Sequence, residues 1–387
     1  MPGRYLPILK QAVQQRRFRA LFLFVTSRCN SLCRTCFYAD KLNSRDDLTY
    51  DQILKLSDTA GPFEKLWLSG GEPFLRPELA EIITRFAAHN GVKNVNLPTN
   101  GLLPDKIFPT IDRVLAETPE HFSIDLNFSL DGVGATHDAI RGVPNNYRRT
   151  LDTIAKAEAR YKNIRRLRRN VLSVITRENY HEIVRLGLEL AADGRIDGHY
   201  FEAVRGQAPD PTLKNLTTAE LAELHRRLLP FHRHYARKLF AHLSPVVRGL
   251  ATALYLGNLK LHFDLHESCF EGPRRWPMPC SAGETTLVVD HNGRFRSCEM
   301  RETIGTLADF NYDVQAALQS EAMRREVAAI QTANCWCTHS CFIQESAKFS
   351  PRAQLFSIPW AFVRQHWQRL PELDAEEMRQ FHALELA

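Results

Sequence analysis

The feature that most constrains how this chain can fold is an alternation. Short apolar runs of strand length alternate with longer amphipathic stretches, at a spacing of about 30–45 residues, through the first half of the sequence. The pattern predicts strands at 20–25, 65–69, 94–97, 123–130, 170–175 and 199–204, with helices at 47–59, 76–89, 104–117, 147–161 and 180–192 between them. Repeated strand–helix units of this kind fold as right-handed parallel βαβ crossovers, whose ligands gather at the carboxyl ends of the strands. The expected fold class is therefore α/β.

The strand exits carry the chemistry. The first is Cys29-Asn-Ser-Leu-Cys33-Arg-Thr-Cys36-Phe37-Tyr38, and the second is Gly70-Gly71-Glu72-Pro73. Thr99-Asn100-Gly101, Ser129-Leu-Asp131-Gly132, Thr176 and Arg205-Gly206 follow the remaining strands. Glycine and polar residues mark ordinary loops, which explains any one of these exits but not all of them on one edge of a sheet. Three thiols within eight residues are soft metal ligands with no fourth ligand beside them. A zinc scaffold normally closes with four ligands, whereas an iron–sulfur cluster held by three cysteines leaves one iron open, either for simple electron transfer or for a bound ligand. In Gly70-Gly71-Glu72, bare backbone allows close approach to a ligand and a carboxylate suits an ammonium group.

The second half reads differently. Helices are expected at 217–243, with arginines and histidines along one side, and at 245–257. Cys269, a Pro/Arg/Trp-rich turn at 272–279 and Cys280 come next. A hairpin at 286–289 and 294–296 turns on Asp290-His-Asn-Gly293 and ends at Cys298. A helix at 312–330, the run Cys335-Trp-Cys337-Thr-His-Ser-Cys341 and an amphipathic tail at 351–387 complete the chain. None of the nine cysteines lies between Cys36 and Cys269, which predicts two separate metal centres rather than disulfides in a reducing, cytoplasmic setting. The basic start at 1–19 precedes too short an apolar run for a signal peptide or a membrane span. A net charge of +6 is mild, and Arg165-Arg-Leu-Arg-Arg169 reads as a solvated helix end without the aromatic partners that nucleic-acid binding would need. His225, His232, His234 and His242 read as a wet helix face.

Cys29-x3-Cys33-x2-Cys36 followed by Phe37, with Gly70-Gly71-Glu72-Pro73 at the next strand end, resembles the radical S-adenosylmethionine (SAM) superfamily. The resemblance implies a partial (β/α)6 TIM-like barrel and a [4Fe–4S] cluster on Cys29, Cys33 and Cys36, its open iron chelated by SAM. Phe37, Gly70, Gly71, Glu72, Pro73, Asn100, Ser129, Asp131, Arg141 and Thr176 are then implied to surround SAM, with Arg141 pairing with its carboxylate. The later cysteines resemble the SPASM/twitch auxiliary-cluster modules, a small β-hairpin plus helix domain. They are too few for two auxiliary clusters, so one is implied, on Cys280, Cys298 and two of Cys335, Cys337 and Cys341, with zinc as the alternative.

The expected organisation is a barrel at 1–208, a helical insertion at 209–268, an auxiliary-cluster domain at 269–345 and a helical tail at 346–387. The implied activity is of the oxidoreductase or isomerase type: reductive cleavage of SAM, fed by a one-electron reductant such as flavodoxin or ferredoxin, and hydrogen abstraction from a substrate. With few residues before Cys29 for a leader-binding domain, the expected substrate is a small, anionic, sugar- or nucleotide-like molecule, with the basic insertion covering the barrel mouth. A peptide or protein substrate is the first alternative, and a non-catalytic iron–sulfur carrier or zinc scaffold the second. Glu202 and Arg205 read equally as substrate-facing groups or as a structural ion pair.

Overall fold

The computed structural model describes residues 17–272, 276–333, 335–367 and 375–386. Most of the basic start, the centre of the turn at 272–279 and parts of the tail lie outside the described residues.

Six parallel strands, β1 (Ala20–Thr26), β2 (Lys65–Gly70), β3 (Asn94–Thr99), β4 (Ser123–Ser129), β5 (Leu167–Ile175) and β6 (Gly198–Ala203), alternate with helices. These are α1 (Tyr50–Ala60), α2 (Leu79–Asn90), α3 (Pro104–Glu117), the pair α4 (Ala135–Arg141) and α5 (Asn146–Tyr161), and α6 (Ile183–Asp193). Burial explains the alternation. Leu21, Leu23 and Val25 of β1 point to one face, where they meet Ile53 and Leu56 of α1 and Ile82 and Phe86 of α2 in one continuous core. Phe22 and Phe24 point to the other face.

The strands form one open sheet in the order β6-β5-β4-β3-β2-β1-β7-β8-β9. The hairpin of the C-terminal part, β7 (Thr286–Val289) and β8 (Arg294–Arg296), extends the barrel sheet, because β7 pairs in parallel with β1 from Ala20↔Thr286 to Leu23↔Val289. β9 (Gly305–Thr306) closes the antiparallel edge.

Among the described residues two helices lie between β6 and the hairpin, α7 (Thr218–Leu239) and α8 (Pro245–Glu271), and five follow it: α9 (Val314–Leu318), α10 (Glu321–Thr332), α11 (Ser340–Lys348), α12 (Ile358–Trp367) and α13 (Ala375–Leu386). Phe342 of α11 stacks on Phe22, 5.4 Å between ring centres, and Trp67 stacks on the same ring at 5.2 Å. The C-terminal helices thus fill the inner face of the sheet beneath the cysteine loop.

Several sequence expectations change here. α8 runs on to Glu271 and carries Cys269 in its last turn. Gly257 does not end it: a Cβ there would meet the carbonyl oxygen of Ile358 at 2.6 Å, so the glycine admits α12. The helix expected at 312–330 is two, because the Ser320 side chain accepts a hydrogen bond from the Met323 N–H and starts α10 afresh. The arginine run is no solvated helix end. Arg168 and Arg169 lie in β5 and pair with Asp125 (2.6 and 2.8 Å) and Asp197 (3.0 Å through both nitrogens). α7 packs against α6 and β6 rather than over the mouth, with Leu224, Leu228 and Phe231 in the main core. His225 and His232 are buried against Phe263 of α8, with ring centres 4.0 and 5.8 Å away, whereas His242 is exposed. A helix facing a second helix buries a side that looks polar in isolation.

Candidate cofactor and cluster sites

The loop after β1 carries Cys29, Cys33 and Cys36, all partly buried. Burial, and the neighbouring thiols after it, push Cys29 up to about 12 and Cys36 up to about 11, so these groups are thiols until a metal takes the proton's place. Among the described residues no three His, Cys, Asp or Glu side chains converge as ligands of a single metal ion. The three sulfurs share one loop instead, and the Arg141 guanidinium Nη1 lies 3.7 Å from the Cys33 Sγ, where it can offset negative charge on the set. The donor chemistry fits an iron–sulfur cluster held by three thiolates.

The second strand exit is built onto this loop. The Gly71 N–H donates to the Thr26 carbonyl and the Glu72 N–H to the Arg28 carbonyl, both at 2.8 Å. A Cβ on Gly70 would lie 2.2 Å from the Thr26 oxygen, and one on Gly71 2.0 Å from the Arg28 oxygen. The glycines therefore allow close contact between two loops of this chain at the strand exit. Glu72, buried, accepts from the Asn100 N–H at 2.7 Å. Burial raises its carboxyl to about 7 against the pull of that N–H. Pro73 opens a short 3₁₀ turn, Pro73–Leu75. The Asn100 amide donates to Asn30 (2.6 Å) and Ser31 (3.1 Å), so the third exit also clasps the cysteine loop.

The fourth and fifth exits form a buried network. Arg141 pairs with Asp131 at 2.8 Å, and Asp131 also accepts from the Val174 N–H at 2.8 Å. Arg141 is thus held within the chain, beside both Asp131 and the Cys33 thiol. The Thr176 hydroxyl, fully buried, bonds Asn179 at 3.1 Å within its own turn. Ser129, half-buried at the end of β4, pairs with Leu172 of β5.

At the sixth exit Glu202 and Arg205 are bonded to each other, and Arg205 also reaches Glu299 at 3.5 Å. The guanidinium sits 5.2 Å over the Phe37 ring. Glu299 in turn bonds His339, and His339 and Arg205 hold its carboxyl down at about 2 despite burial. Neither Glu299 nor His339 stood out in the sequence; their one signal is position, each next to or two residues from a cysteine. Arg34 was missed likewise, although it ties the cysteine loop to Glu178 (2.7 Å) and Asp210 (2.6 Å) beyond β5 and β6.

The second cysteine group gathers from four segments. Burial drives the Cys298 thiol well up, with Cys337 and Cys280 adding to the effect. Cys337 is raised by burial too, and feels Cys280, Cys335 and Cys269. Cys341 is different: its charged neighbours are Glu202, Arg205, Glu299 and Lys65.

Residues 23–187 match the profile of the Radical SAM superfamily. The chain therefore carries a radical SAM domain. It is 34% identical over 151 residues to a GTP 3',8-cyclase of Geobacter sulfurreducens, covering 37% of this chain and 44% of that protein. It is 31% identical over 180 residues to a pre-heme d1 synthase of Dinoroseobacter shibae, covering 46% and 41%. The chain thus spans less than half the length of these curated relatives. Its fold is similar to that of native anSMEcpe solved with AdoMet and the Cp18Cys peptide, with a TM-score of 0.56 at 15% identity over 95% of this chain and 99% of that one.

Proposed function

We propose that this radical SAM enzyme cleaves SAM reductively at Cys29, Cys33 and Cys36 and abstracts hydrogen from a small, anionic substrate. The observation that carries the reading is the convergence of the Gly-Gly-Glu and Asn100 exits on the cysteine loop through 2.6–2.8 Å bonds, beside the Asp131–Arg141 pair. When bound, a [4Fe–4S] cluster supplies the electron that splits the sulfonium into methionine and a 5'-deoxyadenosyl radical. The chain's part is to bind, orient and exclude water. Glu72, poised near neutrality, receives the methionine ammonium, and Arg141 stays fixed beside the thiolates.

Substrate meets the chain between the two cysteine groups, where Arg205 over Phe37 supplies a cation and Glu202 a carboxylate. Cys280, Cys298, Cys335 and Cys337 hold one auxiliary cluster, with Cys341 on the substrate side. The fold likeness to a peptide-bound enzyme favours a peptide as the second reading.

Anaerobic reconstitution followed by reduction with SAM tests the core of this reading: 5'-deoxyadenosine and methionine are expected, and electron uptake without them would leave an electron carrier. Deuterium transfer into 5'-deoxyadenosine from labelled nucleotides, sugars or peptides then identifies the substrate class.

A further inference from the structure

Away from the cysteines, two packed helical stretches combine exposed apolar side chains with arginines and contain no acids of their own. Residues 224–263 hold seven Lys and Arg but no Asp or Glu, and 346–367 hold no acid either, in a chain with 44 acidic residues. The structure packs these two stretches together. Gly257 of α8 lies against Ile358 and Phe362 of α12, and Asp264 bonds Arg364, so the two helices run in the same direction.

Toward their N-terminal ends, and in the π-helical turn at 353–357 that leads into α12, both helices expose what a soluble surface normally hides. Val246 and Leu250, on the stripe of α8 that continues from Gly257, are 84% and 60% exposed. Phe356, Trp360 and Val363 fall at i, i+4 and i+7, and Phe356 and Trp360 are 69% and 60% exposed. Between α7 and α8 a cavity of about 670 Å³ is lined by Arg233, Arg237 and Arg248, over an apolar floor of Leu256 and Phe362. A core-packing role explains none of these exposed side chains.

We infer that this face docks on a bilayer bearing anionic lipids, with Phe356, Trp360, Val246 and Leu250 entering the interface and the arginine cavity receiving a lipid headgroup. Charge decides the occupant: a cavity lined by three arginines and no acid, beside exposed aromatics, complements an anionic lipid surface. No helix among the described residues is long and apolar enough to cross a membrane, so the attachment is peripheral. The inference is independent of the cysteine chemistry and can fail without it.

Flotation of the reconstituted protein with vesicles tests it. Vesicles of phosphatidylcholine containing about a third phosphatidylglycerol should carry the protein at low salt, and pure phosphatidylcholine should carry roughly tenfold less. Phe356→Ser with Trp360→Ser should abolish flotation, and Arg233→Gln with Arg248→Gln should weaken it at least tenfold on anionic vesicles. Circular dichroism and 5'-deoxyadenosine formation report that each variant is folded and active. Absence of flotation by the wild-type protein on anionic vesicles overturns the inference, as does flotation unchanged by both double variants. Light scattering that shows a dimer, lost on Trp360→Ser and without vesicle binding, would assign the face to a second copy and also overturn it.

Discussion

The two cysteine groups are built in opposite ways. The N-terminal group comes from eight consecutive residues, partly open, whose shape is fixed by the backbones of neighbouring exits pressed against it. The C-terminal group draws on the segment before β7, the end of the hairpin, the loop before α11 and α11 itself; Cys280 and Cys298 are buried, and Cys335, Cys337 and Cys341 are partly buried. The first group is complete within one loop, whereas the second depends on tertiary packing to bring its segments together. The sharpest break between them is ligand removal. Replacing Cys29, Cys33 and Cys36 by Ala should abolish 5'-deoxyadenosine formation yet leave about four irons per chain by iron analysis, those of one [4Fe–4S] cluster. A value near zero would mean that the second group holds no cluster.

The next largest effect separates cysteines within the second group. Cys337→Ala should lose the auxiliary iron, because that thiol lies among Cys280, Cys298 and Cys335. Cys341→Ala should keep the iron and instead lower turnover of substrate, since its neighbours are Glu202, Arg205 and Glu299. Equal iron loss in both variants would place Cys341 among the ligands.

Backbone packing gives a smaller effect confined to the first site. Gly71→Ala pushes a methyl toward the Arg28 carbonyl, 2.0 Å from the ideal Cβ position. The expected cost is about 1–3 kcal/mol, seen as a lower urea midpoint together with weaker SAM cleavage. A variant with unchanged midpoint would show that the two loops are not in firm contact.

The same contrast explains what could be read from the chain. Period and strand exits placed β1 to β6 and the first cysteine group, because each signal lies within a few residues. The contact of Gly71 with the Arg28 carbonyl could not be read, since its partner lies more than forty positions away. The parallel pairing of β7 with β1 joins the two ends of the sequence, and the Arg205–Glu299–His339 network joins residues 94 and 40 positions apart. The histidines of α7 were misread for the same reason: periodicity shows that a helix has a polar side, and only α8 shows that the side is buried.

Those histidines and Glu72 respond to pH in opposite senses. His225, His232, His262 and His266 are held down at about 3 by burial, so between about 6.5 and 3 the unfolded chain takes protons that the folded chain refuses. Stability is lost there as pH falls, by at most about 1.4 kcal/mol per pH unit for each histidine. Glu72 is raised by burial from 4.5 to about 7, so between those values the folded chain keeps a proton that the unfolded chain releases, and stability is lost as pH rises. Within this set four histidines outweigh one carboxyl, and the five groups together destabilise the fold on acidification. In urea titrations of the metal-free protein, His232→Phe should flatten the acid slope by up to about 1.4 kcal/mol per pH unit, and Glu72→Gln should steepen it. A flattened slope in Glu72→Gln would mean that its carboxyl is ionised in the folded chain, held by the Asn100 N–H more strongly than burial opposes it.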